Sequence, residues 1–165
     1  MKRLAFIALV CLGCSCSTVN TVSHGIPNLA QVEPGIWRGG QPTAEGWKWL
    51  ASQGVVLDIK LNPDDEGSDA AAVQCGMMVM PAPITTTEQT VGKPSRDKII
   101  LAVMAIGPGA FIHCTHGQDR TGLVIGAYRV MFENWTKDAA WREMVANGFH
   151  PELLGLTRSW TEDVP

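Results

Sequence analysis

A strong excess of either charge is missing from this chain. Its 165 residues carry 13 Lys and Arg against 16 Asp and Glu, a formal net charge of −3, and no Lys/Arg block. Only 4 residues are His. A nucleic-acid partner held by bulk positive charge is therefore not expected. Internal repeats and low-complexity tracts are absent too. With 45% apolar and 18% charged residues, the composition is that of a globular protein and excludes a disordered or collagen-like chain. Past the first dozen residues no apolar run is long enough to cross a bilayer. Past residue 16 only Cys75 and Cys114 remain, with no C-x-x-C pair and no second Cys/His pair at a zinc spacing. No metal and no cofactor are expected. The length suits one domain.

What is present begins with an address. Lys2 and Arg3 precede an apolar run over residues 4–12, the length of a signal-peptide core. Small residues and cysteines follow. This resembles a bacterial lipoprotein signal, with Cys14 as the lipidated residue, Cys16 as second choice and an ordinary cleaved signal as the alternative. The expectation is a signal at residues 1–16, a tether at 17–30 and a catalytic domain at 31–165. The protein would be exported to a bacterial periplasm, with the N-terminal lipid its only attachment to a membrane.

Downstream, strands and helices alternate. A short strand around Ile36 and Trp37 leads into a Gly-Gly-x-Pro turn, and Thr43 caps a helix over 44–52. Residues 55–61 are a β-branched apolar run that reads as a buried strand. A turn at 62–65, a short helix capped by Ser68 or Asp69, and a strand at 77–80 come next. Residues 84–95 read as a polar loop. A helix over 96–106 has Ile99, Ile100, Val103 and Met104 as its apolar side. A third buried strand at 110–113, a helix at 121–134 and a helix at 137–147 ended by Gly148 complete the pattern. The alternation predicts an α/β fold of three layers, a mostly parallel central sheet flanked by helices.

The segment His113-Cys114-Thr115-His116-Gly117-Gln118-Asp119-Arg120-Thr121-Gly122 carries the chemistry. A Cys at a strand's C-terminal end is followed by a Gly-containing loop that enters a helix N-terminus. Backbone N–H groups and the helix dipole there bind an anion. Gly117 permits the turn. Arg120, six positions after Cys114, can curl back over the loop centre, where its planar fork matches two phosphate oxygens. The same positive surroundings favour a thiolate nucleophile. Thr115, His116, Gly117, Gln118, Asp119 and Arg120 would line the phosphate cradle.

This C-x5-R loop resembles the signature of protein tyrosine and dual-specificity phosphatases, of the compact atypical type. The WRGGQP turn at 37–42 extends the likeness. The resemblance implies that Cys114 attacks phosphorus to give a cysteinyl-phosphate that water then hydrolyses. Arg120 would stabilise the transition state, Thr121 would hydrogen-bond the sulfur, and His113 would orient the loop from behind. Such phosphatases place an Asp on the loop corresponding to 81–95, and here that loop holds only Glu88. Asp119 is the other candidate acid, as in the similar myotubularin-like loop. Asp58, Asp64 and Asp65, on and after the earlier strand, are less well placed. The loop is also similar to that of metal-independent RNA 5′-triphosphatases, which the acidic charge argues against. The expected substrate is a phosphorylated protein (phosphotyrosine, phosphoserine or phosphothreonine). Phosphoinositides, inositol polyphosphates, a weakly catalytic phosphate-binding module and a Cys114–Cys75 redox pair are the alternatives. Nothing in the sequence indicates an oligomeric state.

Overall fold

The computed structural model describes residues 21–165. The expected signal and Cys14 lie outside the described residues. A two-stranded hairpin, β1 (Val22–Ser23) and β2 (Ile26–Pro27), precedes a five-stranded sheet. The sheet holds β3 (Ala30–Glu33), β4 (Ile36–Gly39), β5 (Leu57–Lys60), β6 (Met78–Pro81) and β7 (Ala110–His113) in the order β3-β4-β7-β5-β6. Only β3 runs antiparallel to its neighbour. The architecture is the expected α/β one, with helices on both faces of a mostly parallel sheet.

The face of the sheet is decided residue by residue along β7. Alternation sends Ala110 and Ile112 to one side and Phe111 to the other. On the Phe111 side lie α1 (Ala44–Ser52), capped by Thr43 as expected, and α2 (Ala70–Gln74). Their Trp47, Leu50 and Ala72 bury against Ile26, Val55, Met77 and Phe111. On the other face pack α4 (Arg96–Met104), α5 (Asp119–Phe132), α6 (Lys137–Ala146) and α7 (Leu154–Glu162). They enclose the larger core of Ile59, Val103, Ile112, Leu123, Met144 and Trp160. α5 is covered on most sides, which explains its near-continuous apolar sequence.

Four details depart from the expectation. Residues 21–30, expected as tether, are folded: Ile26 is fully buried against Trp47 and Leu50, so the domain begins before residue 31. The expected loop at 84–95 contains a helical turn, α3 (Thr86–Thr90), closed by a capping box between Thr85 and Glu88. α4 buries Ala102 with Ile99 and Val103, whereas Met104 is exposed, because the helix packs on α5 along a narrower stripe. Beyond Gly148 the chain forms α7, which lies across α3 and α5.

The parallel register places the site. Gly39, Lys60 and His113 stand opposite one another across β4, β5 and β7, and Pro81 of β6 stands opposite Lys60. Four strands thus end at one sheet edge, and the four segments that leave them meet there, as ligand sites do in open α/β sheets.

Candidate active site

Cys114 follows the last residue of β7, and α5 starts at Asp119. The five residues from Cys114 to Gln118 form the loop between them. Three of its carbonyls are turned outward and satisfied from outside. Thr115 O accepts from Gln41 N at 3.1 Å, His116 O from the Asn28 amide at 2.8 Å, and Gly117 O from the Arg38 guanidinium at 2.9 Å. In a trans peptide the N–H of the following residue points the opposite way. The His116, Gly117 and Gln118 N–H groups therefore face the loop's interior, and Gly117 N–H already donates to Cys114 Sγ at 3.3 Å. Together they form an anion cradle at the N-terminus of a 14-residue helix.

The turn after β4 shapes this loop. Gly117 has φ +77°, and a Cβ there would lie 2.3 Å from the Gly39 carbonyl carbon. Glycine is thus required twice over, by backbone conformation and by the close approach of the 37–42 turn. Arg38 of β4 is 3% exposed, and burial lowers its pKa to about 10 against the opposing charges of Glu143 and Cys114. It remains a cation at neutral pH, beneath the loop.

Cys114 is 2% exposed. Burial pushes its thiol pKa up. The Arg120 charge, the Thr121 hydroxyl and N–H, and the Gly117 N–H outweigh burial and hold it below the ordinary thiol value. Thr121 lies at the sulfur, with its hydroxyl also 3.5 Å from Gly39 O.

Arg120 curls back over the loop from the first turn of α5. Its Nη1 donates to Ile84 O at 3.0 Å, which pins the guanidinium from the β6 side. Its Nη2 reaches Thr115 Oγ1 at 3.1 Å and Glu66 Oε2 at 2.5 Å. Nε, on the same side as Nη2, has no partner among the described residues. That Nε/Nη2 side is the fork able to take two phosphate oxygens.

His113 is fully buried behind the loop. It stacks on Phe111 with ring centroids 5.3 Å apart and meets Trp47 edge-on. Its Nδ1 lies 3.3 Å from Cys114 O, and its Nε2 lies 3.1 Å from Asp58 Oδ1 and 3.7 Å from Asp69 Oδ2. Nδ1 is placed to donate to the carbonyl, and the two acidic side chains beside Nε2 favour a charged ring, although burial also pushes the Asp58 carboxyl pKa up. Burial alone would lower its pKa, but the bonds and charges of Asp58 and Asp69 raise it to about 9. Ligand atoms of Asp58, Asp69 and His113 lie within 4.8 Å of one another, a spacing at which a metal could bind. The His113 ring and the Lys60 ammonium, 3.2 Å from Asp69, already stand against the two acidic side chains.

The two acids expected from sequence are both engaged. Glu88 Oε2 accepts the Thr85 N–H at 2.7 Å and Oε1 accepts from Lys98 at 2.8 Å. Burial pushes its pKa up, but these bonds outweigh it and hold the carboxyl below the usual carboxylate range. Asp119 Oδ1 accepts the His150 N–H at 2.8 Å and lies 2.9 Å from His150 Nδ1. With His116, Gln118 and Gln89, this pair lines a cleft of about 600 Å³ beside the signature loop. Cys75 packs at the other face of the sheet from Cys114, and both thiols are free.

Sequence reasoning missed Glu66, Arg38 and Asn28. Glu66 ends a 3-10 turn, Asp64–Glu66, between β5 and α2. The parallel register, which brings that turn to the loop edge, is the signal that would have found it.

A strand–loop–helix cradle of this kind, with Cys at its base and Arg over its centre, is suited to hold a phosphate group above a thiolate. Residues 18–153 match the family model described as DSP-PTPase phosphatase fused to NAD+ kinase, and the chain belongs to that family. It is 27% identical over 128 residues to the dual specificity protein phosphatase TpbA of Pseudomonas aeruginosa, covering 76% of this chain. The chain spans only 56% of that relative's length. Among solved structures, P. aeruginosa TpbA superposes with a TM-score of 0.68 at 23% identity, covering 86% of this chain and 88% of that one. The catalytic core of the PP-IP phosphatase SIW14 from S. cerevisiae gives 0.68 at 17% identity, covering 84% and 86%. PTPMT1 in complex with PI(5)P gives 0.63 at 16% identity, covering 82% and 96%.

Proposed function

We propose that this protein hydrolyses phosphomonoesters through a cysteinyl-phosphate on Cys114, with phosphorylated proteins as substrates and phosphotyrosine first among them. The observation that carries the reading is the inward set of N–H groups around a thiol of lowered pKa, with the Arg120 fork above it. The thiolate attacks phosphorus in line with the departing alcohol, and the equatorial oxygens take the loop N–H groups and the Arg120 fork. Water then cleaves the sulfur–phosphorus bond and releases phosphate.

The pairing of three lysines favours a protein substrate over a polyanionic small molecule. Lys93 pairs with Glu162 and Asp163, Lys98 with Glu88, and Lys60 with Asp64 and Asp69. An inositol polyphosphate needs lysines free to meet its further phosphates. TpbA, a dual specificity protein phosphatase whose structure has been solved in complex with pTyr, supports the same choice. Export, with a lipid on Cys14 holding the domain at a membrane, is a further part of the reading. It rests on the basic and apolar N-terminal residues.

The test is phosphate release from phosphotyrosine peptides by the full chain in reductant and excess chelator, beside Cys114→Ser. Release by the parent alone, with a trapped phosphoenzyme on rapid quench, is the expected result. Equal release by both would refute the reading. The intact mass of membrane-extracted protein tests the anchor.

A further inference from the structure

The reaction needs a proton for the departing alcohol, and the loop at 81–95 offers no Asp. We propose that Glu66 is the residue that donates this proton, a proposal that rests on the thiol-phosphatase reading above.

Three observations converge on its carboxyl group. Glu66 Oε2 accepts from Arg120 Nη2 and from Thr115 Oγ1, both at 2.5 Å, so it stands over the loop interior on the fork that faces phosphate. Oε1 lies 3.4 Å from the hydroxyl of Thr86, in the segment after β6. The carboxyl group thus spans the signature loop and the very segment from which an acid would be expected. Glu88 is instead engaged with Thr85 and Lys98, and Asp119 with His150. Glu66 is also only partly buried, its side chain 22% exposed, so it exchanges protons with water.

In the free site Arg120 and Thr115 stabilise the Glu66 carboxylate. An arriving phosphate takes the Arg120 fork, and two negative groups then share the rim. Like charges at that distance favour the protonated carboxyl group. As the Cys114 sulfur–phosphorus bond forms and the phosphorus–oxygen bond breaks, the Glu66 proton moves to the leaving oxygen. The resulting carboxylate takes a proton from the water that attacks the cysteinyl-phosphate, which resets the site. Atoms and charges balance without a co-reactant. Glu66 therefore has two roles in one cycle: partner of Arg120 when the site is empty, and acid then base when it is filled.

The experiment compares the full chain with Glu66→Gln, Glu88→Gln and Asp119→Asn on aryl and alkyl phosphates spanning good to poor leaving groups. Cys114→Ser is the control that tests the underlying reading. Inhibition by vanadate reports that each cradle is intact. Glu66→Gln is expected to lower kcat on poor leaving groups by about 10²-fold or more, with a loss that shrinks as the leaving group improves. On the most activated ester it should give a burst of phenol, because the base of the second step is gone. A loss of equal size on every ester, no loss at all, or a leaving-group-dependent loss in Glu88→Gln or Asp119→Asn instead would overturn the assignment. Activity surviving in Cys114→Ser would overturn the phosphatase reading itself, a separate outcome.

Discussion

Replacing Asp58 by Asn tests the buried charge cluster behind the signature loop. His113 is fully buried, and its pKa rises from 6.5 to about 9 through Asp58 and Asp69. At about 1.4 kcal/mol per pH unit, that rise corresponds to about 3 kcal/mol of preference for the charged ring in the folded state. The sign follows from proton counting. Between pH 6.5 and about 9 the folded state holds a proton that the unfolded state has lost. The contribution is thus complete below pH 6.5 and is lost as pH rises through about 9. Cys114 titrates nearby with the opposite sign, since its pKa is lowered and its contribution grows with pH. The measurement is therefore made in a Cys114→Ser background. Urea unfolding at several pH values should show stability falling by about 3 kcal/mol from the acid to the alkaline end of the window. Asp58→Asn should destabilise the protein by about 3 kcal/mol at pH 6, because it leaves one buried charge uncompensated, and should flatten the slope. A parent whose stability is constant across the window, or a variant that keeps the parent's slope, would refute the imidazolium argument. The His113 ring ¹⁵N shifts give the protonation state directly.

Other perturbations probe the cradle itself. Gly117→Ala should cost about 3 kcal/mol or more in a denaturant titration, from positive φ and a Cβ 2.3 Å from the Gly39 carbonyl carbon. A wild-type midpoint would contradict the packing described. Arg120→Lys keeps the charge but loses the fork, so kcat/KM should fall about 10²-fold or more, with thiolate formation less affected than in Arg120→Ala. The thiolate absorbance of Cys114 should titrate below an ordinary thiol and move up in Arg120→Ala; an unmoved midpoint would mean that the N–H groups alone set it. Arg129→Ala breaks the bridges from α5 to Glu133 and Glu143, and thermal unfolding should show a loss of about 1–3 kcal/mol with catalysis retained.

The local pattern determined much of this protein. Strand β7 was legible as four buried residues, α1 by its Thr43 cap and helical spacing, and the Cys114–Arg120 loop by the types of residue a phosphate requires. These are short-range facts, set by side-chain period, capping and backbone freedom. α3 was legible in principle, since Thr85 and Glu88 stand at capping-box spacing, but a polar composition concealed it. What the sequence alone left open depends on contacts between distant segments. Ile26 belongs to the core only because the chain folds back over Trp47 and Phe111. Asn28, Arg38 and Gln41 turn the loop carbonyls outward from segments more than 70 residues away. Glu66 lies 54 positions before Arg120 and looks like one more acid in a turn. Only the parallel register of β5 against β7, which brings both strand ends to one edge, sets its carboxylate on the arginine fork. The sequence alone determined the thiol and the loop around it because both lie in ten consecutive residues; the groups that hold them were decided by tertiary structure, because sheet order joins segments that no local pattern connects.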